Sequence, residues 1–182
     1  MRQAFLLVAV ATLIGLAAGN AEAVGPVDFE LASRAGIGTN PNRAVYMDPN
    51  PNTLGFGLGG RAGVSFLGFY AGVDLMYYLG TSDDHTLMYG LDLGYSFKVG
   101  IVTIRPQLGI GNLADIYTYE SSSFTTNYLY FEPGVTGLLS FGTAFVGIDL
   151  NLLDIRNAPI DGDGSLGTET ALTVHCQAGV HF

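Results

Sequence analysis

Apolar and polar residues alternate with period two along most of the chain. Between residues 54 and 66, Leu54, Phe56, Leu58, Ala62, Val64 and Phe66 share one face, and Gly55, Gly57, Gly59, Arg61, Gly63 and Ser65 share the other. The last segment repeats this. Leu172, Val174, Cys176, Ala178, Val180 and Phe182 alternate with Thr173, His175, Gln177, Gly179 and His181. Successive side chains on a strand point to opposite faces, so the alternation predicts strands with one greasy and one polar face. Combined with turn residues, it predicts eight strands, at 27–38, 54–67, 69–79, 87–97, 101–111, 128–140, 143–153 and 169–182. Their connections alternate in length. Long loops are expected at 39–53, 80–86, 112–127 and 154–168, with tight turns at Leu67-Gly68, Lys98-Val99 and Phe141-Gly142.

The two faces differ in charge. No position on the eight apolar faces is charged, whereas the opposite faces carry Glu30, Arg34, Arg61, Asp74, Asp92, Arg105, Glu132 and Asp149. An Arg or Lys facing lipid at mid-membrane costs about 2–4 kcal/mol. Lipid therefore enforces this kind of segregation. A soluble barrel with an apolar lumen would need a charged outer face, and here the polar face is mostly glycine. The prediction is an all-β, eight-stranded, antiparallel up-and-down transmembrane barrel with its polar face inside. Aromatics gather at strand ends on the apolar face. Phe29, Phe66, Phe69, Tyr95, Phe97 and Phe182 lie toward the short turns, and Phe56, Tyr77, Tyr89 and Phe131 toward the loops. They read as two interfacial girdles.

The polar face predicts a lumen ion-pair network of Arg34, Arg61, Asp74, Asp92, Arg105, Glu132 and Asp149. A two-residue turn at Leu67-Gly68 sets Arg61 opposite Asp74, so the two are expected to form a cross-strand ion pair, and a turn at Lys98-Val99 would likewise align and pair Asp92 with Arg105. Inward glycines are expected to leave room for Tyr70, Tyr78 and Tyr130. Pro106 and Pro133 lack an N–H for the ladder, so a bulge or skewed register is expected near them. A lumen this narrow, holding these charges and rings, is expected not to conduct ions freely.

The N-terminus has another character. Arg2 precedes an apolar run, Ala4 to Ala18, and Ala21-Glu22-Ala23 fits a small-x-small cleavage site. At 15 residues the run is short for a spanning helix, which needs about 20. Residues 1–23 are expected to be a cleaved secretory signal peptide, leaving 24–182 as one barrel domain. Charged residues make up 13% of the chain, about half the usual share, which argues against a soluble enzyme. The net charge of −9 disfavours nucleic acid as a partner. Cys176 is the single cysteine, so no internal disulfide forms, and its place on the apolar face makes it a small hydrophobe.

On these features the chain resembles the small eight-stranded outer-membrane barrels, such as the OmpA transmembrane domain, OmpX and porin-like barrel domains. The resemblance covers residues 24–182. It rests on the eight spans, the loop asymmetry and the terminal aromatic Phe182, not on a sequence motif. It implies a bacterial outer-membrane location with both termini periplasmic, and outer-membrane lipid and the assembly machinery as partners. In that family the final aromatic strand looks like the assembly signal, a role that would fall here to Val174, Val180 and Phe182. His181 departs from the pattern.

Little in the sequence points to chemistry. Lipid A deacylases of this architecture use a His with a Ser two residues on. His85, His175 and His181 are followed by nothing of the kind, so no catalytic residue and no enzyme is expected. Asp161-Gly-Asp163-Gly-Ser165 has oxygen ligands at calcium-loop spacing. However, Leu172 stands where a bidentate Glu belongs, so it reads as a turn cluster. No cofactor or metal is expected. The long loops, with Tyr117, Tyr119 and Phe124 in one and Tyr46 and Met47 in another, are where a surface ligand would bind. The expected role is structural or surface-interacting. The alternative is a narrow conduit or small-ligand-binding barrel, with a lipid A-modifying enzyme ranked behind both.

Overall fold

The computed structural model describes residues 27–39, 54–80, 84–119, 122–159 and 166–182. The strands are β1 (Val27–Thr39), β2 (Gly55–Phe66), β3 (Phe69–Leu79), β4 (Asp84–Tyr95), β5 (Phe97–Val99), β6 (Val102–Tyr119), β7 (Ser122–Phe141), β8 (Ala144–Pro159) and β9 (Leu166–His181). β4 and β5 are one barrel position interrupted at Ser96, since both pair with β6. Each strand pairs antiparallel with its chain neighbour, and β1 pairs with β9, so eight strand positions close into a barrel. Closure leaves no open sheet edge in the wall, which lipid would not tolerate. The signal-peptide segment 1–23, most of the loop 39–53 and the Asp161–Ser165 cluster lie outside the described residues.

Short turns gather at one end. Leu67 and Gly68 both have positive φ, 50° and 88°, as a type I′ hairpin requires. The other two turns are Gly100-Ile101 and Gly142-Thr143, each with glycine at positive φ in the first central position. They therefore sit one or two residues later than the sequence suggested, because the glycine, not the apolar run, decides where the chain can reverse. Val27 and Phe182 lie at this same end.

The faces divide as the alternation predicts. Glu30, Arg34, Arg61, Asp74, Asp92, Arg105, Glu132 and Asp149 are all buried inside, while Leu91, Leu93, Ile148 and Leu152 stand more than half exposed outside. Among the described residues the outward-facing charges are Asp154 and Arg156, paired at 2.7 Å near the long-connection end. Aromatic clusters mark both ends of the apolar band. Phe29 stacks on Phe182 at 5.9 Å, and Tyr95 packs edge-on against Phe69 and Phe97 at 5.0 Å. Toward the long connections, Tyr77 stacks on His85 at 5.6 Å, and Asn112 donates to the Tyr89 hydroxyl at 2.9 Å.

The structure corrects several expectations. Residues 112–127 are not an irregular loop: β6 and β7 stay paired up to Tyr119 and Ser122. The loop 154–168 is also shorter, since β8 reaches Pro159 and β9 starts at Leu166. The β-prone Ile116, Tyr117, Thr125 and Thr126 keep the ladder going, but a ladder outside lipid needs no apolar face, so the alternation stops first. Leu54 was expected on the lipid face and is instead buried inside, because Gly55 at φ 78° turns the chain before the strand begins.

The prolines break pairing without a bulge. The β4/β5–β6 ladder skips Arg105 and Pro106, and the β7–β8 ladder skips Glu132 and Pro133, yet each register resumes unchanged. Pro106 faces Val135 and Pro133 faces Leu108 across an unbroken β6–β7 ladder, so the two are offset, not opposed. Each proline's missing N–H falls on the outer ladder of its pair. A strand residue directs its N–H to one neighbour only, and the other ladder is untouched. The register shift in the barrel lies elsewhere, between Arg156 and Ala158.

Candidate functional site

The lumen is the candidate site, and it is built in layers. Inward glycines create its space. A Cβ on Gly63 or Gly72 would collide with Tyr70, one on Gly57 with Tyr78, and one on Gly90 or Gly111 with Tyr130. The rings fill the room as the sequence suggested. Gly63→Val is expected to cost roughly 1–3 kcal/mol, as overpacking does. Outward Gly60→Ala should be near neutral, since its Cβ would meet only the Ala32 carbonyl at 3.3 Å. Urea midpoints of the two variants check this, and equal shifts would contradict it.

Near the short turns, Arg105 forks onto Glu30. Its Nη1 donates to Oε2 at 2.9 Å and its Nη2 to Oε1. Its Nε donates to Ser96 Oγ at 2.9 Å, and the guanidinium lies 3.8 Å over the Tyr70 ring. The expected Asp92–Arg105 pair is not formed. With the turn at Gly100-Ile101, Asp92 faces Gly109, and Arg105 reaches across the lumen to β1 instead. Ala32, Leu138 and Phe145 form a small apolar cluster in this half.

The middle layer centres on Asp149. Arg34 Nε donates to its Oδ2 at 3.1 Å, with Nη2 at 3.0 Å from the same oxygen. Arg61 Nη1 lies 3.5 Å from Oδ1. Thr136 also donates to it, as does Gln177 Nε2 at 2.8 Å. Arg61 further contacts Asp92 at 3.1 Å and donates to Gln107. The register sets Arg61 opposite Asp74, but the ion pair that Asp74 makes is with Arg34, at 3.5 Å. Neither Asp74 oxygen accepts a hydrogen bond among the described residues. Arg34 donates to His175 Nδ1 at 3.0 Å, which fixes that nitrogen as acceptor. The other ring nitrogen, Nε2, then donates to Tyr78 Oη at 2.6 Å. Glu132 accepts from Thr173 at 2.8 Å. Among the described residues, three buried arginines thus face six buried carboxylates: Glu30, Asp74, Asp92, Glu132, Asp149 and Glu169.

Toward the long connections the lumen turns apolar. Leu54, Met76, Tyr78, Met88, Leu113, Tyr130, Leu153, Ile155 and Ala171 form one buried cluster. The sequence reading missed this plug. Its signal was present: Met76, Met88 and Leu113 share the phase of the polar face, and a strand that keeps apolar residues on both faces is closed on both sides.

The remaining candidates are dispersed. Val174 and Val180 lie on the outer side of β9, with Phe182 against Phe29. Cys176 is exposed on the outer face. The three histidines are far apart in role. His85 stacks outside on Tyr77, His175 sits in the mid-lumen, and His181 lies near Asp28 at the short-turn mouth.

No family model and no curated protein matches the sequence. Solved structures do match the fold. Neisserial surface protein A is 10% identical with a TM-score of 0.62, covering 88% of this chain and 98% of its own. The N-terminal barrel domain of Pseudomonas aeruginosa OprF is 14% identical at 0.56, covering 84% and 97%. A major outer membrane protein of Thermus thermophilus is 15% identical at 0.52, covering 85% and 99%. The chain has the fold of the small eight-stranded outer-membrane β-barrels.

Proposed function

We propose that the protein is an integral outer-membrane barrel with a structural or surface-interaction role, carried at its long-connection end and not through its lumen. The observation that carries this reading is the lumen itself. An ionic layer and an apolar plug occupy it in series, and side chains fill what an eight-stranded barrel leaves open. The proposal places the short turns and both termini in the periplasm and the long connections outside the cell. Val174, Val180 and Phe182 would then form the strand read by the assembly machinery.

The β6–β7 hairpin is the part suited to contact. At 18 and 20 residues, its strands outrun the 11 to 13 of β1, β2 and β3. It presents exposed Thr125, Thr126 and Asn127, side chains that suit adaptable hydrogen bonding. Excising residues 114–127 and joining Leu113 to its partner Tyr128 by a two-residue turn should leave the barrel folded, as exposed tips tolerate change. Cell-surface or ligand binding should be lost with it. If the trimmed, folded barrel keeps full binding, or if uptake of small solutes depends on the intact lumen, the conduit reading replaces this one.

A further inference from the structure

At the short-turn mouth, beside the Arg105–Glu30 pair, Asp28, Glu30 and His181 bring one ligand atom each to within 4.8 Å of one another. We infer that these three side chains form a binding site for a divalent transition metal of the zinc class, which clasps the first strand of the barrel to the last.

The spacing suits such an ion. Zinc bonds of about 2.0–2.2 Å in tetrahedral geometry place neighbouring donors roughly 3.4 Å apart. His181 Nδ1 lies 3.2 Å from Asp28 Oδ2 and 3.9 Å from Glu30 Oε1. The donor set also suits it. One imidazole nitrogen and two carboxylate oxygens, with water in a fourth position, is a zinc-type set. Calcium and magnesium favour six or more oxygens.

The backbone holds the three in place. Glu30 and His181 are direct partners across the β1–β9 seam, and Asp28 follows two residues away on the same face of β1. Around them Phe29 N donates to Phe182 O at 2.9 Å, Phe182 N to Phe29 O at 3.0 Å, and His181 N to Thr143 O at 2.7 Å. The His181 ring packs against Phe145 at 4.6 Å. A site on paired strands is rigid enough to define a coordination geometry.

The site is also unsatisfied. Asp28 Oδ1 and His181 Nε2 are buried atoms without a hydrogen-bond partner among the described residues, and the partner His181 Nδ1 faces is the Asp28 carboxylate at 3.2 Å. A metal ion between the three side chains would give Nδ1 and the Asp28 carboxylate a partner, with the opposite ring nitrogen keeping its proton. Its surroundings are compatible with charge. Arg105 holds Glu30 from the lumen side and would act as an outer-shell partner, leaving further lone pairs on the carboxylate. Lys98 Nζ contacts Asp28 at 3.5 Å, but its side chain is 62% exposed and can swing into water as an ion enters. Asp28 and His181 keep some exposure at the mouth, so the ion has a path.

The experiment uses the full chain folded in detergent micelles, titrated with zinc chloride, with calcium chloride in parallel. Zinc should bind one to one and raise the temperature at which the barrel unfolds, because a ligand of the folded state stabilises it. Calcium at the same concentration should not. Asp28→Asn and His181→Gln should each weaken zinc at least tenfold, while His85→Gln leaves it unchanged and Lys98→Ala tightens it. Cobalt(II) substituted for zinc should show a visible absorption band that Asp28→Asn abolishes. If His181→Gln fails to fold, Asp28→Asn and the cobalt spectrum decide. No zinc-dependent shift in the unaltered barrel, or a shift that survives Asp28→Asn, overturns the site.

Discussion

Asp149→Leu is expected to destabilise the barrel by about 3–5 kcal/mol, the range for removing one partner of a buried charge pair. Asp149 is fully buried and faces two arginines, Arg34 at 3.0 Å and Arg61 at 3.5 Å. Leucine would leave Arg34 with the 3.5 Å contact to Asp74 as its ion pair and the neutral His175 Nδ1 as its hydrogen-bond acceptor, and would strand the Gln177 amide. Asp74→Leu should cost clearly less, since its oxygens accept no hydrogen bond among the described residues. Urea unfolding of the refolded barrel in lipid vesicles measures both. The double variant Arg34→Met with Asp149→Leu should cost less than the two single losses combined, because the residues share one network. Equal losses at Asp149 and Asp74, or simple additivity, would show that Asp149 is not the hub.

The unaltered barrel should hold a planar bilayer at its baseline current. A solute would have to pass the apolar cluster of Met76, Met88, Leu113 and Leu153, then the layer in which Arg34 and Arg61 are locked to carboxylates. These barriers lie in series, joined through the Tyr78–His175–Arg34 contacts. Met76→Ala combined with Met88→Ala should therefore leave the barrel closed, with the ionic layer still in place. Opening should require both the double alanine change and loss of Arg34 or Arg61. Steady large conductance from the unaltered protein, or from the double alanine variant, would overturn the packed-lumen reading.

Much of this architecture was legible in the sequence. The period-2 alternation defined the eight strand positions and which face meets lipid, because lipid penalises a charge on the wrong face of any strand taken alone. The Leu67-Gly68 turn set Arg61 opposite Asp74, because a two-residue turn allows one register. The inward glycines foretold the tyrosines, because the narrow interior must trade small residues for large.

What the sequence did not yield was who meets whom across the lumen. Arg105 takes Glu30 from a strand 75 residues away, a choice set by the turn at Gly100-Ile101 and by closure of β1 on β9. The apolar plug was only half legible, because an apolar residue in the polar phase of one strand does not say which residues of other strands it will meet. It becomes a plug only when strands from both halves of the chain converge. The triad at the mouth was invisible for the same reason, since Asp28 and His181 stand near opposite ends of the described chain. Strand identity and facing are local properties, written in each segment's own alternation. Lumen partnerships depend on the register summed around a closed barrel, where a shift of one turn reassigns every inward contact, and only the tertiary structure decides them.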